Sequence, residues 1–249
     1  MKSNILIAVV ICLGCSISGC GGGYSSHSNT PLGQTLAGTW QFTYVSSKAG
    51  SSTVSGTLTQ TGGAFSGSVA LTGSCASSGM ISGTVAGSAL TGTITESNPE
   101  TINITGTLAT SGSTASGTYQ VMSATGACAA ASGDTGTWSG TRTAVPVGPY
   151  SGMVRSADRM PVQLTLNLSG DAGHLSGMAN FTNSACLHSM NITGTFTGSN
   201  LELRGDSGND GSIVLNGTTD KDARTLNLNS VVSGACQAES GVGTMTKMQ

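Results

Sequence analysis

Apolar and polar residues alternate with a period of two along most of the chain. Ile102, Ile104 and Leu108 fall on one face, with Asn103, Thr105 and Thr107 on the other. Leu164, Leu166 and Leu168 alternate with Thr165 and Asn167, and Leu226 and Leu228 with Thr225 and Asn227. That period is the mark of a strand with one buried face. Glycine- and aspartate-rich breaks, such as Thr61-Gly62-Gly63, Ala86-Gly87-Ser88, Ser169-Gly170-Asp171 and Thr219-Asp220-Lys221-Asp222, separate the runs as tight turns. The pattern predicts strands near 39–46, 53–60, 65–72, 79–85, 89–96, 101–109, 115–122 and 135–143, followed by a similar eight.

The second set repeats the first. Gly38-Thr39-Trp40 aligns with Gly148-Pro149-Tyr150, and Phe65-Ser66-Gly67 with Leu175-Ser176-Gly177. Further on, Cys75 aligns with Cys186, Ile81-Ser82-Gly83-Thr84 with Ile192-Thr193-Gly194-Thr195, and Gly126-Ala127-Cys128 with Gly234-Ala235-Cys236. Ordered matches of this kind indicate a tandem duplication with its seam near Ala144-Val145-Pro146-Val147. The expected fold is all-β: two tandem eight-stranded antiparallel meander barrels, over 37–144 and 148–249. Closing each meander removes its exposed edges. In a meander, alternate links lie at one end, so Cys75, between strands three and four, meets Cys128, between seven and eight. The same geometry pairs Cys186 with Cys236, whereas the other two pairings would cross between repeats. An even set of cysteines in an exported body points to disulfides, and their wide spacing argues against a metal site.

Ahead of the repeats, Lys2 precedes the apolar run Ile5-Leu6-Ile7-Ala8-Val9-Val10-Ile11-Cys12-Leu13, and Ile17-Ser18-Gly19-Cys20 follows. The run falls short of the roughly 20 apolar residues that span a bilayer and has the form of a secretory signal. Ile17-Ser18-Gly19-Cys20 resembles the lipobox of bacterial lipoproteins. The resemblance implies removal of residues 1–19, a diacylglycerol thioether on Cys20 and acylation of its new amine. Gly21 stands where, in that family, Asp would signal inner-membrane retention, so the implied address is the outer membrane. Residues 20–36, rich in Gly, Ser and Asn, are expected to form a lipidated flexible tether. Gly38-Thr39-Trp40 also resembles the Gly-x-Trp that opens the first strand of lipocalin- and avidin-type barrels. This resemblance implies barrel geometry alone, with Trp40 plugging the core.

Only 8% of residues are charged and the formal net charge is −2, which leaves no basic field for nucleic acid. Thr and Ser occupy positions where Lys and Glu are usual, and the polar strand face lacks the apolar band of a membrane pore. Candidate chemistry is sparse. The first repeat has no histidine, and its acids Glu96, Glu100 and Asp134 show no pattern of a carboxylate pair. His174 and His188 read as surface residues, Asp206, Asp210, Asp220 and Asp222 as solvated turns with only a superficial likeness to a calcium loop, and Asn180, Asn191 and Asn216 as strand and turn residues. Inward Gly83, Gly92 and Gly106 leave room for a small apolar ligand or, the preferred reading, serve bends at barrel corners.

The sequence thus predicts a non-catalytic envelope lipoprotein acting as a binding or interaction module, with no cofactor and no metal. Its membrane contact is the lipid on Cys20, and its partner is a small apolar ligand or an envelope polysaccharide or protein. The alternative is a structural or adhesive envelope protein. A hydrolase using His174 or His188 is the weakest reading.

Overall fold

Alternation along each strand turns one face inward, and threonine-rich strands with tight turns bring neighbours into antiparallel register. The computed structural model describes residues 35–72, 75, 77–155, 160–184, 187–208, 211–234 and 239–249. Cys20, Cys186 and Cys236 lie outside the described residues, and so do the signal peptide and most of the expected tether. The first repeat forms β1 (Gly38–Ser46), β2 (Gly50–Thr61), β3 (Ala64–Thr72), β4 (Ser78–Ala86), β5 (Ala89–Glu96), β6 (Glu100–Leu108), β7 (Thr114–Ala124) and β8 (Thr135–Thr143). A short 3₁₀ helix, Gly126–Ala131, sits between β7 and β8. The second repeat forms β9 (Gly148–Arg155), β10 (Val162–Gly170), β11 (Leu175–Thr182), β12 (Ser189–Thr197), β13 (Asn200–Asp206), β14 (Ser212–Thr219), β15 (Thr225–Ser233) and β16 (Glu239–Lys247).

Each set is a closed antiparallel meander barrel. β1 pairs with β8 to close the first, Tyr44 lying opposite Trp138, and β16 pairs with β9 to close the second. The tandem meander expected from the repeat is therefore present.

Odd-numbered links of the first barrel gather at one end and even-numbered links at the other. The even-link end is plugged. Trp40 is fully buried and its indole Nε1 donates to the Leu36 carbonyl at 2.7 Å, while the Leu36 amide donates to Gln60 Oε1 at 2.7 Å. Leu36, at the end of the expected tether, is itself buried in this core. Tyr150 takes the place of Trp40 in the second barrel, fully buried, its hydroxyl donating to the Ala223 carbonyl at 2.7 Å.

Rings climb the first barrel from the plug. Trp40 stacks on Phe42 at 5.7 Å, Phe42 meets Trp138 edge-on at 6.1 Å, and Tyr44 meets Tyr119 edge-on at 5.4 Å. Inward glycines seat these rings. A Cβ on Gly106 would fall 2.6 Å from Trp138 Cζ2, and one on Gly83 2.6 Å from Phe65 Cζ. The space at Gly83, Gly92 and Gly106 is thus occupied by neighbouring backbone and by Phe65 and Trp138, which corrects the reading of these positions as open ligand space. The second barrel is filled mainly by aliphatics, including Leu164, Leu166, Leu203, Leu215 and Leu226, beside Tyr150 and Phe196.

The two barrels belong to one compact unit. Val145 and Val147 of the link pack on the second core. Across the contact, Ser199 Oγ donates to Gln41 Oε1 at 3.2 Å and Asn200 Nδ2 to Ser55 Oγ at 3.4 Å.

Candidate ligand-binding site at the mouth of the first barrel

Among the described residues, no aromatic side chain plugs the odd-link end of the first barrel as Trp40 plugs the other. That end holds a chamber of about 340 Å³. Its apolar wall comes from the inward residues Val54, Leu71, Ile94, Ile102 and Val121, and its polar lining from Tyr44, Ser46, Lys48, Glu96, Glu100, Tyr119 and Asp134. Period-two geometry explains the placement of the strand residues among them. Glu96 continues the inward series Leu90, Ile94 to the last residue of β5, and Glu100 opens the inward series Ile102, Ile104 on β6. The three-residue turn between them, 97–99, brings both carboxyls to the same rim. That turn is tied down by its neighbours: Ser97 N donates to the Ser78 carbonyl, Thr125 N to the Pro99 carbonyl and Asn98 Nδ2 to the Cys75 carbonyl. A bulge in the β6–β7 pairing beside Thr101 and Ile102 bends the wall at this rim.

The Cys75–Cys128 disulfide spans the mouth, with Cα atoms 5.3 Å apart. The meander argument predicted this pairing. One sulfur of it, Cys75 Sγ, lies 3.3 Å from Glu100 Oε2. Ligating atoms of Cys75, Cys128, Glu96 and Glu100 all fall within 4.8 Å of one another. With the two sulfurs bonded to each other, neither offers a thiolate, and the carboxyls alone are left to bind.

The three acids are buried, with 6% exposure for Glu96, 4% for Glu100 and 6% for Asp134, and they differ in how they are satisfied. Asp134 is fully held. Ser46 Oγ donates to its Oδ2 at 2.6 Å, Ser47 Oγ to its Oδ1 at 2.8 Å and the Tyr119 hydroxyl to its Oδ2 at 2.9 Å. Burial works to raise the Asp134 carboxyl, but these bonds and the Thr135 amide outweigh it and hold the group below the usual range. Glu96 behaves oppositely. Burial, then the Glu100 charge and a hydrogen bond with Glu100, push it up to about 7. Burial likewise raises Glu100, partly offset by its bond to Glu96, with the Asp134 charge adding to the rise. The two glutamates therefore share a proton near neutrality, as close carboxyl pairs do. Burial and then the Glu96 charge raise the Tyr44 phenol, and burial with the Asp134 bond takes Tyr119 up to about 12, so both rings stay neutral.

One atom is left over. Glu96 Oε2 is buried and has no hydrogen-bond partner among the described residues. A buried oxygen of this kind costs on the order of 1–3 kcal/mol, more if charged.

The expectation that these acids form no carboxylate pair is overturned, since sequence separation hides what the hairpin brings together. The alternation itself carried the signal, because counting inward positions past Ile94 and back from Ile102 lands on Glu96 and Glu100. In the second barrel β13 ends at Asp206, which pairs with Ser212 at the start of β14, and Ser230 lies opposite Gly241. His174 is exposed in a turn, 3.9 Å from Asp171, and His188 is exposed ahead of β12. Neither reaches the chamber lining. A shallow depression of about 750 Å³ on the outer wall of the second barrel is lined by polar residues such as Asn227, Asn229 and Thr244, already paired in part (Thr244 Oγ1 to Asn227 Oδ1, 3.0 Å).

The chain matches no family model and no curated protein. Among solved structures it is similar to a candidate outer membrane protein from Bacteroides fragilis NCTC 9343, at 14% identity and a TM-score of 0.29, covering 86% of this chain and 98% of that one. It is also similar to kievitone hydratase from Nectria haematococca, at 11% identity and a TM-score of 0.26, covering 86% and 89% of the two chains. Likenesses this loose carry no argument about function.

Proposed function

We propose that the protein is a lipid-anchored envelope binding module whose first barrel takes a small ligand at its mouth, while the second barrel serves as a filled support. The observation that carries this reading is the chamber of about 340 Å³ with an apolar wall and a buried carboxyl oxygen lacking a partner. Apolar concavity with a few convergent polar groups is the usual form of a small-molecule site. The anchor rests on Ile17-Ser18-Gly19-Cys20, and the outer membrane on Gly21 after it. Two or more acyl chains, each buried CH₂ contributing about 0.8 kcal/mol, would hold the barrels at a membrane surface.

Two measurements test it. Mass spectrometry of the protein purified from membranes should show an N-terminus at Cys20 carrying acyl mass, and Cys20→Ala should leave the membrane fraction. A free, unacylated N-terminus elsewhere would overturn the anchor. Organic extracts of the native protein should contain a small molecule that disappears when Ile94→Trp fills the chamber; an extract indistinguishable from that variant's would count against binding.

A second reading has one observation behind it. A carboxyl titrating near 7 in a chamber is poised for general acid–base chemistry. Conversion of the extracted molecule during incubation with the wild type, but not with Glu96→Gln, would favour it over binding alone.

A further inference from the structure

We propose that the ligand of the first barrel is an organic cation, an ammonium or amidinium head on an apolar body, held by the Glu96–Glu100 pair. This rests on the binding reading above and names the chemistry of the ligand's polar end.

The geometry supplies three reasons. First, Glu96 Oε2 is a buried acceptor without a donor, in a residue that lines the chamber, so a bound group that donates a hydrogen bond removes an existing cost. A donor carrying positive charge gains most, because bonds between an ionised donor and acceptor are roughly twice as strong as neutral ones. Second, the charges facing Glu96 leave an excess of negative. Around it stand Tyr44 on β1, Lys48 in the β1–β2 turn, Glu100 on β6, Tyr119 on β7 and Asp134 before β8. With one proton shared between the glutamates, the three carboxyls carry two negative charges against one ammonium. Lys48 is exposed at the rim and turned to the Ser132 carbonyl at 2.9 Å, so it does not fill the role of the missing donor. Third, the wall suits an amphiphilic cation. Ile94, Ile102 and Val121 can cover an aliphatic body, and the neutral rings of Tyr44 and Tyr119, in edge-to-face contact with each other, line the same chamber.

Neutral and anionic ligands fit less well. A neutral alcohol can satisfy the free oxygen but leaves the charge unpaired, and a carboxylate would add a further negative charge to a crowded mouth. A cation instead displaces the shared proton, so binding should tighten as Glu96 ionises.

The test uses the full-length protein in a non-ionic detergent and three probes with one body and different heads: cyclohexylmethylammonium, cyclohexylmethanol and cyclohexanecarboxylate. Calorimetric titration should show the ammonium binding at least about tenfold more tightly than the alcohol, with the carboxylate not binding. Its affinity should rise from about pH 6 to about pH 8. Glu96→Gln should lose about tenfold for the ammonium and little for the alcohol, with its thermal midpoint showing that it is folded; Glu100→Gln should weaken the ammonium in the same sense. Equal affinity for ammonium and alcohol, or an ammonium affinity unmoved by both substitutions, would overturn the cation while leaving a binding chamber in place. Failure of all three probes, with extracts free of ligand, would overturn the chamber itself.

Discussion

Glu96 and Asp134 share one rim and have opposite consequences for stability. The folded state raises Glu96 to about 7, above its ordinary value, so the folded protein holds that proton more tightly than the unfolded chain. Stability must then fall as pH rises through that interval. Asp134 is held low, so its contribution is present at neutral pH and is lost only in acid, as pH drops through its depressed value. Thermal melts of the wild type should therefore decline between about pH 5 and about pH 8. Glu96→Gln, whose amide can donate to Glu100, should flatten that decline and raise the midpoint at pH 8 by roughly 2–4 °C, the equivalent of about 1 kcal/mol. A group whose removal stabilises the fold is one retained for something other than folding. Gly106 shows the contrary case: Gly106→Ala drives a methyl against the Ser116 carbonyl oxygen, 2.4 Å away, and the Trp138 ring, 2.6 Å away, and should cost about 1–3 kcal/mol by denaturant titration.

Among the elements, the β5–β6 hairpin and the Cys75–Cys128 bridge build the mouth together. Their positions were unequally legible in the sequence. Strand existence and the bridge followed from alternation and meander parity: the expected 89–96 is Ala89–Glu96, and the expected 135–143 is Thr135–Thr143. The carboxylate pair is hidden because spacing along the chain does not show what a three-residue turn does to two inward positions. What fills the space at the inward glycines is hidden for a different reason. Which ring lies over Gly106 depends on the register of β6, β7 and β8, where Gly106 pairs with Gly117 and Gly117 with Trp138, and register is not written in any one strand. The bridge closes a loop with a sequence separation of 53, worth on the order of 4 kcal/mol in the chain-entropy account. Cys75→Ala with Cys128→Ala should lower the unfolding free energy from denaturant titration by that order and loosen the mouth, weakening ligand capture more than the Trp40 plug, whose fluorescence should remain that of a buried indole.

In the whole molecule, duplication produced two barrels that diverged in content. The first is lined by rings and ends in a polar chamber, and the described core of the second is packed mainly with leucine. On this account one copy binds and the other supports, with the Gln41, Ser55, Ser199 and Asn200 contacts joining them. The most direct test is a nuclear magnetic resonance titration of the full-length protein with cyclohexylmethylammonium, following backbone amides and isoleucine methyls. The account predicts shifts confined to the mouth of the first barrel, at Tyr44, Ile94, Glu96, Ile102 and Tyr119, with the second barrel's Leu203 and Leu215 unmoved. Shifts centred on the outer wall around Asn227 and Thr244, or within the second core, would contradict it.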